Sequence, residues 1–264
     1  MPTEVRIDRT GELITVSLTG PLTLDGVARV RGILLKCLAD CPTAMIVDLT
    51  GLTVDSDLPL TVFAAVARHA RAWPGVAPML LCARPGPVAD RFARWRLGRF
   101  LPIHAGPEQA AAALDAPAEA LPAIRVELPY GPEAQPEARR LVGDACLVWE
   151  LPHLREPAEL IAVELAGNAV RHGAPPVGLV AAARTTYLHI VARDASSEQP
   201  RTVDPGVPDR MSTAGQGLRL VDAVATAWGC LRTAGGKAVW ATLRWEPVGW
   251  PRLGFRTPPL ARAT

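Results

Sequence analysis

The chain opens on two short stretches of alternating apolar and polar residues, VRIDRTG and ELITVSLTG. The period then changes: in LDGVARVRGILLKCLAD the apolar residues Val27, Val30, Leu34 and Leu38 recur at three and four. A period of two puts neighbouring side chains on opposite faces of a strand, whereas steps of three and four line one face of a helix. The same reading gives strands at MIVDLT and APMLLCA and helices at PLTVFAAVARHARAW, PVADRFARWRLGR and EQAAAAL. Two strands followed by helix–strand units predict a mixed sheet with helices packed on it, an α/β (α+β) class. The Pro- and Ala-rich DAPAEALP has no period and predicts a linker. It divides a first domain, 1–115, from a second, 124–246, with 116–123 as the joint and a loosely held Pro/Arg-rich tail over 247–264.

In the second half, IRVELPY reads as a strand. A helix follows from about Pro136 to Trp149, with Leu141, Val142, Ala145, Cys146 and Val148 as its buried face. The next helix starts near Glu156 and Pro157, residue types suited to a helix N-terminus, and runs to His172, where Gly173 and two prolines stop it. VGLVAAARTTYLHIVARD reads as two strands and GLRLVDAVATAW as a helix, with two more strands around GCLRTAGG and KAVWATLRW. The polar loop before that last helix runs to about twenty residues, a length that inside a compact domain points either to a mistaken assignment or to a functional lid. No internal repeat relates the halves.

Composition narrows the function classes. A chain of 264 residues suggests two domains. A formal charge of +2, with acids and bases mixed along the chain, gives no basic stripe for DNA or RNA, so nucleic acid is not expected as a partner. No apolar run reaches the roughly 18 to 20 residues of a membrane span, and MPTEVRIDRT lacks the order of a signal peptide. No membrane association and a cytoplasmic location are therefore expected. The five cysteines are odd in number and scattered in apolar surroundings, and are read as reduced core thiols.

The candidate chemistry centres on ELAGNAVRHG, residues 164–173. Glu164 and Asn168 stand one helical turn apart and share a face. A carboxylate beside an amide oxygen suits a Mg²⁺ ion that takes its remaining ligands from water and phosphates; alone, the pair reads first as a solvated helix face. Asp194 ends the apolar strand HIVARD, where a carboxylate can accept from the exocyclic amine of a buried base or simply shape a turn. In AGQGLRLV, Gly215 and Gly217 bracket Gln216 just before a helix, leaving N–H groups free to face phosphate oxygens or to serve as a flexible cap. Trp240 is expected in the core and Lys237 at a solvated strand end.

In their order and spacing these pieces resemble the GHKL (Bergerat) ATP-binding domain, and within it the bacterial anti-sigma factor serine/threonine kinases. ELAGNAVRHG is similar to the family's N-box, VARD to its first glycine box, GQGL to its second, and WGCLRTAGGKAVWATL to its closing strand pair. The resemblance implies ATP and Mg²⁺ as cofactors. It implies Glu164 as the general base, Asn168 as the Mg²⁺ ligand, His172 lining the nucleotide side, Asp194 reading adenine, and Gly215, Gln216, Gly217 and Leu218 closing over the phosphates. The match departs from the family at DASSE, which lacks the glycines after the Asp, and at Lys237 and Ala238, near which the family often carries Thr.

The first domain resembles a STAS domain, the anti-sigma factor antagonist fold, through its ββαβαβα rhythm and VDLTGLTVDSDLPLTVF. That implies Ser56 as phosphoacceptor, although Asp57 and Leu58 stand where the family has Ser or Thr and then Gly, and Ser56 reads equally well as an N-cap. The implied partners are a sigma factor, a STAS-type antagonist, or both, and a second copy in a homodimer. Two functions stay open: a serine/threonine protein kinase acting by partner switching, and a non-catalytic nucleotide-gated interaction module, for which DASSE and DSDL are the motives.

Overall fold

The first alternating stretches become a hairpin, with β1 (Glu4–Thr10) and β2 (Leu13–Pro21) pairing antiparallel around Gly11, whose φ of +58° is the left-handed geometry that favours glycine. The computed structural model describes residues 2–73, 77–94, 101–114, 122–198 and 216–245. After the hairpin come α1 (Leu24–Ala39), β3 (Ala44–Thr53), α2 (Thr61–Ala72), β4 (Met79–Cys82), α3 (Pro87–Arg94), β5 (Ile103–His104) and α4 (Pro107–Ala112). The sheet order is β1-β2-β3-β4-β5, parallel from β2 onward. The pattern missed β5 because two residues carry no period. Leu34 and Leu38 of α1, Phe63 and Val66 of α2 and Phe92 of α3 pack on one face of the sheet, and Ala110 of α4 packs with Ile46 and Leu80 on the other.

The second unit comprises β6 (Ala123–Leu128), α5 (Ala134–Val148), α6 (Arg155–His172), β7 (Val177–Ala183), β8 (Tyr187–Asp194), α7 (Gln216–Val224), β9 (Ala227–Thr233) and β10 (Gly236–Arg244). Its sheet, ordered β6-β7-β8-β10-β9, is antiparallel throughout. The mixed α/β class expected from the sequence is what the chain adopts. Two local expectations are corrected. The last helix stops at Val224 because Ala227 and Trp228 pair with Thr242 and Ala241 of β10, and strand pairing overrides the helical period there. Val148 is exposed, because the buried stripe of α5 runs through Ala134, Ala138, Val142 and Cys146 to Trp149. Residues 116–121 of the expected linker, most of the polar loop and the tail lie outside the described residues.

Both faces of the second sheet are covered. Leu179, Ala181, Ile190, Ala192, Val239 and Ala241 point to α5, α6 and α7, while Val180, Ala182, Val191, Ala238 and Trp240 join the core of the first unit. Helix α1 lies along β9. Gly32 makes that approach possible: its carbonyl accepts from Ala234 N at 3.0 Å, and a Cβ there would stand 3.0 Å from the same nitrogen. Trp73, just after α2, stacks on Trp240 with ring centroids 4.8 Å apart and planes 12° from parallel.

Arginines of the second unit close the C-terminal end of α1. Arg125 Nε donates to Asp40 O at 2.9 Å, and Arg184 donates to Cys41 O. Cations at this end complement the negative pole of the helix and satisfy carbonyls with no intrahelical partner. The Asp40 carboxylate holds Arg9 and Arg193, and Glu12 accepts both terminal nitrogens of Arg125 at 3.0 and 2.6 Å.

His189 sits in this junction, 1 % exposed, with its ring 5.7 Å from that of Trp73. Burial, helped by the Arg184 charge, lowers its pKa from 6.5 to about 3. The folded protein therefore holds His189 neutral where the unfolded chain would protonate it, so this contribution to stability is complete above pH 6.5 and declines as pH falls toward 3. His189→Phe is expected to flatten that acid limb by up to one proton's slope, about 1.4 kcal/mol per pH unit. Chemical denaturation across pH 4 to 7 checks it, and an unchanged slope would count against the assignment.

All five cysteines are free thiols. Burial is the leading reason that Cys41 is pushed up to about 12 and Cys37, Cys82, Cys146 and Cys230 to about 11. They remain protonated and unreactive, as core thiols should. No described helix is long and apolar enough to cross a membrane.

Candidate functional site

Helix α6 runs between α5 and α7 on the second sheet, burying Ala158, Ile161, Ala162, Leu165, Ala166 and Ala169. Asn168 lies on the buried side, 6 % exposed, and its Nδ2 has no hydrogen-bond partner. A buried amide without a partner costs free energy unless something completes it. Glu164, one turn earlier, keeps 18 % of its side chain exposed, and Arg171 Nη2 approaches its Oε2 at 4.0 Å.

The Glu164 carboxylate rests against the first turn of α7, where a methyl group at Gly217 would overlap Oε2. Glycine is required here for close approach. The arrangement sets a carboxylate at the positive pole of a helix, beside N–H groups that have no partner within that helix. Leu218, the next residue, is 5 % exposed and packs into the core, so it anchors α7. Gln216 opens the helix. Gly215 lies outside the described residues.

Asp194 closes β8 at the far end of α6, with only 1 % of its side chain exposed. Gly173, just past α6, admits it: a Cβ there would come within 2.6 Å of Asp194 Cγ. Oδ1 accepts from Ser196 N at 2.8 Å and from Lys237 Nζ at 3.0 Å, whereas Oδ2 is buried without a partner. Lys237 was expected at a solvated strand end; it is 1 % exposed instead. The cause is register, since Lys237 of β10 stands directly opposite Asp194 of β8. Its Nζ also donates to His172 O at 3.3 Å, the carbonyl end of α6. The His172 side chain itself is exposed.

The fold thus gathers Glu164, Asn168, Asp194, the start of α7 and the end of α6 on one side of the sheet, and adds Lys237 to them. Ser56 belongs to the unit on the other side. It is exposed, and it caps no helix: the short 3-10 turn Leu58–Leu60 begins at Asp57 without a side-chain cap, and α2 follows Leu60. The Asp57 charge is met by Arg91 and, at 3.8 Å, by Arg94. A cleft of about 500 Å³ opens between the units, lined by Lys36, Arg125 and Arg193 among others, with both arginines already engaged by Glu12 and Asp40.

No family model and no curated protein matches the chain. Several solved structures are similar to it. An anti-sigma factor antagonist from Mycobacterium paratuberculosis is 16% identical over 43% of this chain and 95% of that one, with a TM-score of 0.39. The anti-sigma factor antagonist SpoIIAA in its unphosphorylated form is 16% identical over 41% of this chain and 95% of that one, at a TM-score of 0.35. The Bacillus cell fate determinant SpoIIAA in its phosphorylated form is 19% identical over 41% of this chain and 97% of that one, at 0.34.

A nucleotide with its cation would have to be met here by Asn168, Asp194 and the first turn of α7. Among the described residues no group of three or more His, Cys, Asp or Glu could hold a metal, so a cation beside Asn168 would draw most of its ligands from phosphate oxygens and water. Orphaned polar atoms at both ends of the site, Asn168 Nδ2 and Asp194 Oδ2, are unfilled valences of the kind a polar ligand satisfies.

Proposed function

We propose that this chain is a nucleotide-dependent regulator of the partner-switching kind, in which the second unit binds Mg-ATP and phosphorylates a serine or threonine of a separate STAS-type antagonist. The observation that carries it is the seating of Glu164 against the first turn of α7, with Asn168 one turn further along the same helix. Phosphoryl transfer asks chiefly for position and charge stabilisation. In this reading Glu164 accepts the proton of the attacking hydroxyl, Asn168 holds the cation, and the first N–H groups of α7 face the phosphates. Mg-ATP supplies the phosphoryl group.

The acceptor is assigned to another molecule because the first unit packs on the face of the sheet opposite α6 and α7. Ser56 is then a docking or acceptor position for a partner enzyme, and the sheet separates it from Glu164 of its own chain. Calorimetric titration of the full chain with Mg-ATP into the millimolar range is the test, with saturable binding expected and at least about tenfold weakening by Asn168→Ala. Titration heats that match dilution throughout would retire the kinase reading.

A second reading has its own observation. The ion pair of Lys237 with Asp194 fits a non-catalytic module whose protein contacts matter more than turnover. In that case Mg-ATP binds without transfer to any STAS-type acceptor, which γ-labelled nucleotide distinguishes.

A further inference from the structure

Asp194 is the carboxylate that the nucleotide reading assigns to the base, and it is not free. Lys237 Nζ lies 3.0 Å from Oδ1 and 3.3 Å from His172 O, both Lys237 and Asp194 side chains are 1 % exposed, and Oδ2 faces no donor. A charge-assisted bond from a base amine draws its strength from an uncompensated carboxylate, and an adjacent ammonium removes most of that charge. Oδ2 is buried as well, so the carboxylate presents no open oxygen while the pair is closed.

We propose that Lys237 is a latch on the base-reading carboxylate: it occupies Asp194 in the free protein and must leave, swinging from between β10 and the end of α6, before an amine-bearing purine can be read. The proposal rests on the assignment of this region as a nucleotide site and adds the residue that sets its affinity. The latch is stable because Lys237 and Asp194 are directly opposed in the β8–β10 ladder and because the α6 carbonyl end takes a second proton of the ammonium. The orphaned Oδ2 keeps it openable: a ligand that supplies a donor there gains a bond the closed state lacks.

The chain contains two lysines, Lys36 and Lys237, the first exposed and the second buried, which makes the test unusually direct. Mg-ATP titration of the full chain is compared with that of Lys237→Thr, with folding checked by thermal unfolding. The expected result is at least about tenfold tighter binding by the variant, whether or not wild-type binding is measurable. Equal or weaker binding by a folded variant while the wild type binds overturns the latch and leaves the nucleotide assignment standing. Binding by neither overturns both.

A second measurement needs no substitution. Amine acetylation of the unmodified protein should label Lys36 readily and spare Lys237, and Mg-ATP should raise Lys237 labelling several-fold while leaving Lys36 unchanged. Protection of Lys237 that persists in the nucleotide complex would sink the proposal.

Discussion

Trp240→Ala is expected to lower the unfolding free energy by about 3–5 kcal/mol, the usual cost of emptying a buried aromatic site. Trp240 is 5 % exposed, stacks on Trp73 and lies over Gly229 of β9, which stands opposite it in the ladder. That glycine is needed because a Cβ there would sit 2.8 Å from the indole. The stacked pair contributes roughly 0.5–1.5 kcal/mol beyond its buried area. A Trp73→Ala, Trp240→Ala double-mutant cycle should therefore show favourable coupling. Both indole N–H groups are buried without partners, so Trp240→Phe should cost distinctly less than Trp240→Ala.

The form of the transition matters as much as its midpoint. Val180, Ala182, Val191, Leu231, Ala238 and Trp240 of the second unit share one apolar cluster with α1, α2 and the first sheet. A continuous core predicts that both units unfold in a single cooperative step. Two resolved transitions in the wild type, or a Trp240→Ala cost below about 1 kcal/mol, would show the units to be independent.

This docking left a trace in the sequence. A sheet with one wet face alternates, but VGLVAAA in β7 and AVWA in β10 are apolar at consecutive positions, as strands covered on both faces are. The same runs read simply as strands, because periodicity reports how many faces are buried and not what buries them. The arginine clasp was illegible for a related reason. Arg125 and Glu12 are 113 residues apart, and nothing local to either marks them as partners.

At the candidate site the division is similar. Glu164, Asn168 and the closing glycine of GQGL were legible because a helical turn and a close backbone approach are local properties. Asp194 was legible as the end of an apolar strand. Lys237 was not, since its fate depends on the register between β8 and β10 across a long connection. A lysine at the start of a strand usually reaches water; here the opposing carboxylate and the end of α6 enclose it. Ser56 was read as an acceptor or a cap, and the turn that follows begins one residue later, leaving it exposed and capping no described helix.

On the proposed function, the largest effect on turnover belongs to Glu164. Glu164→Gln keeps the length and shape of the side chain, and with them its seat against Gly217, but removes the negative charge and the capacity to take a proton. Phosphate transfer to a STAS-type acceptor should fall by about 10²–10⁴-fold, the range that a positioned general base supplies. Mg-ATP affinity should hold or tighten, since the lost negative charge stands at the first turn of α7, where the phosphates would lie. Asn168→Ala should show the opposite pattern, losing nucleotide affinity first. The pair of results separates a base from a structural carboxylate: a side chain that only steadies α7 would, on substitution, shift the thermal midpoint and leave the transfer rate per bound nucleotide intact. Transfer that survives Glu164→Gln at the wild-type rate would falsify the general-base role, and α6 would then owe its carboxylate to the first turn of α7 alone.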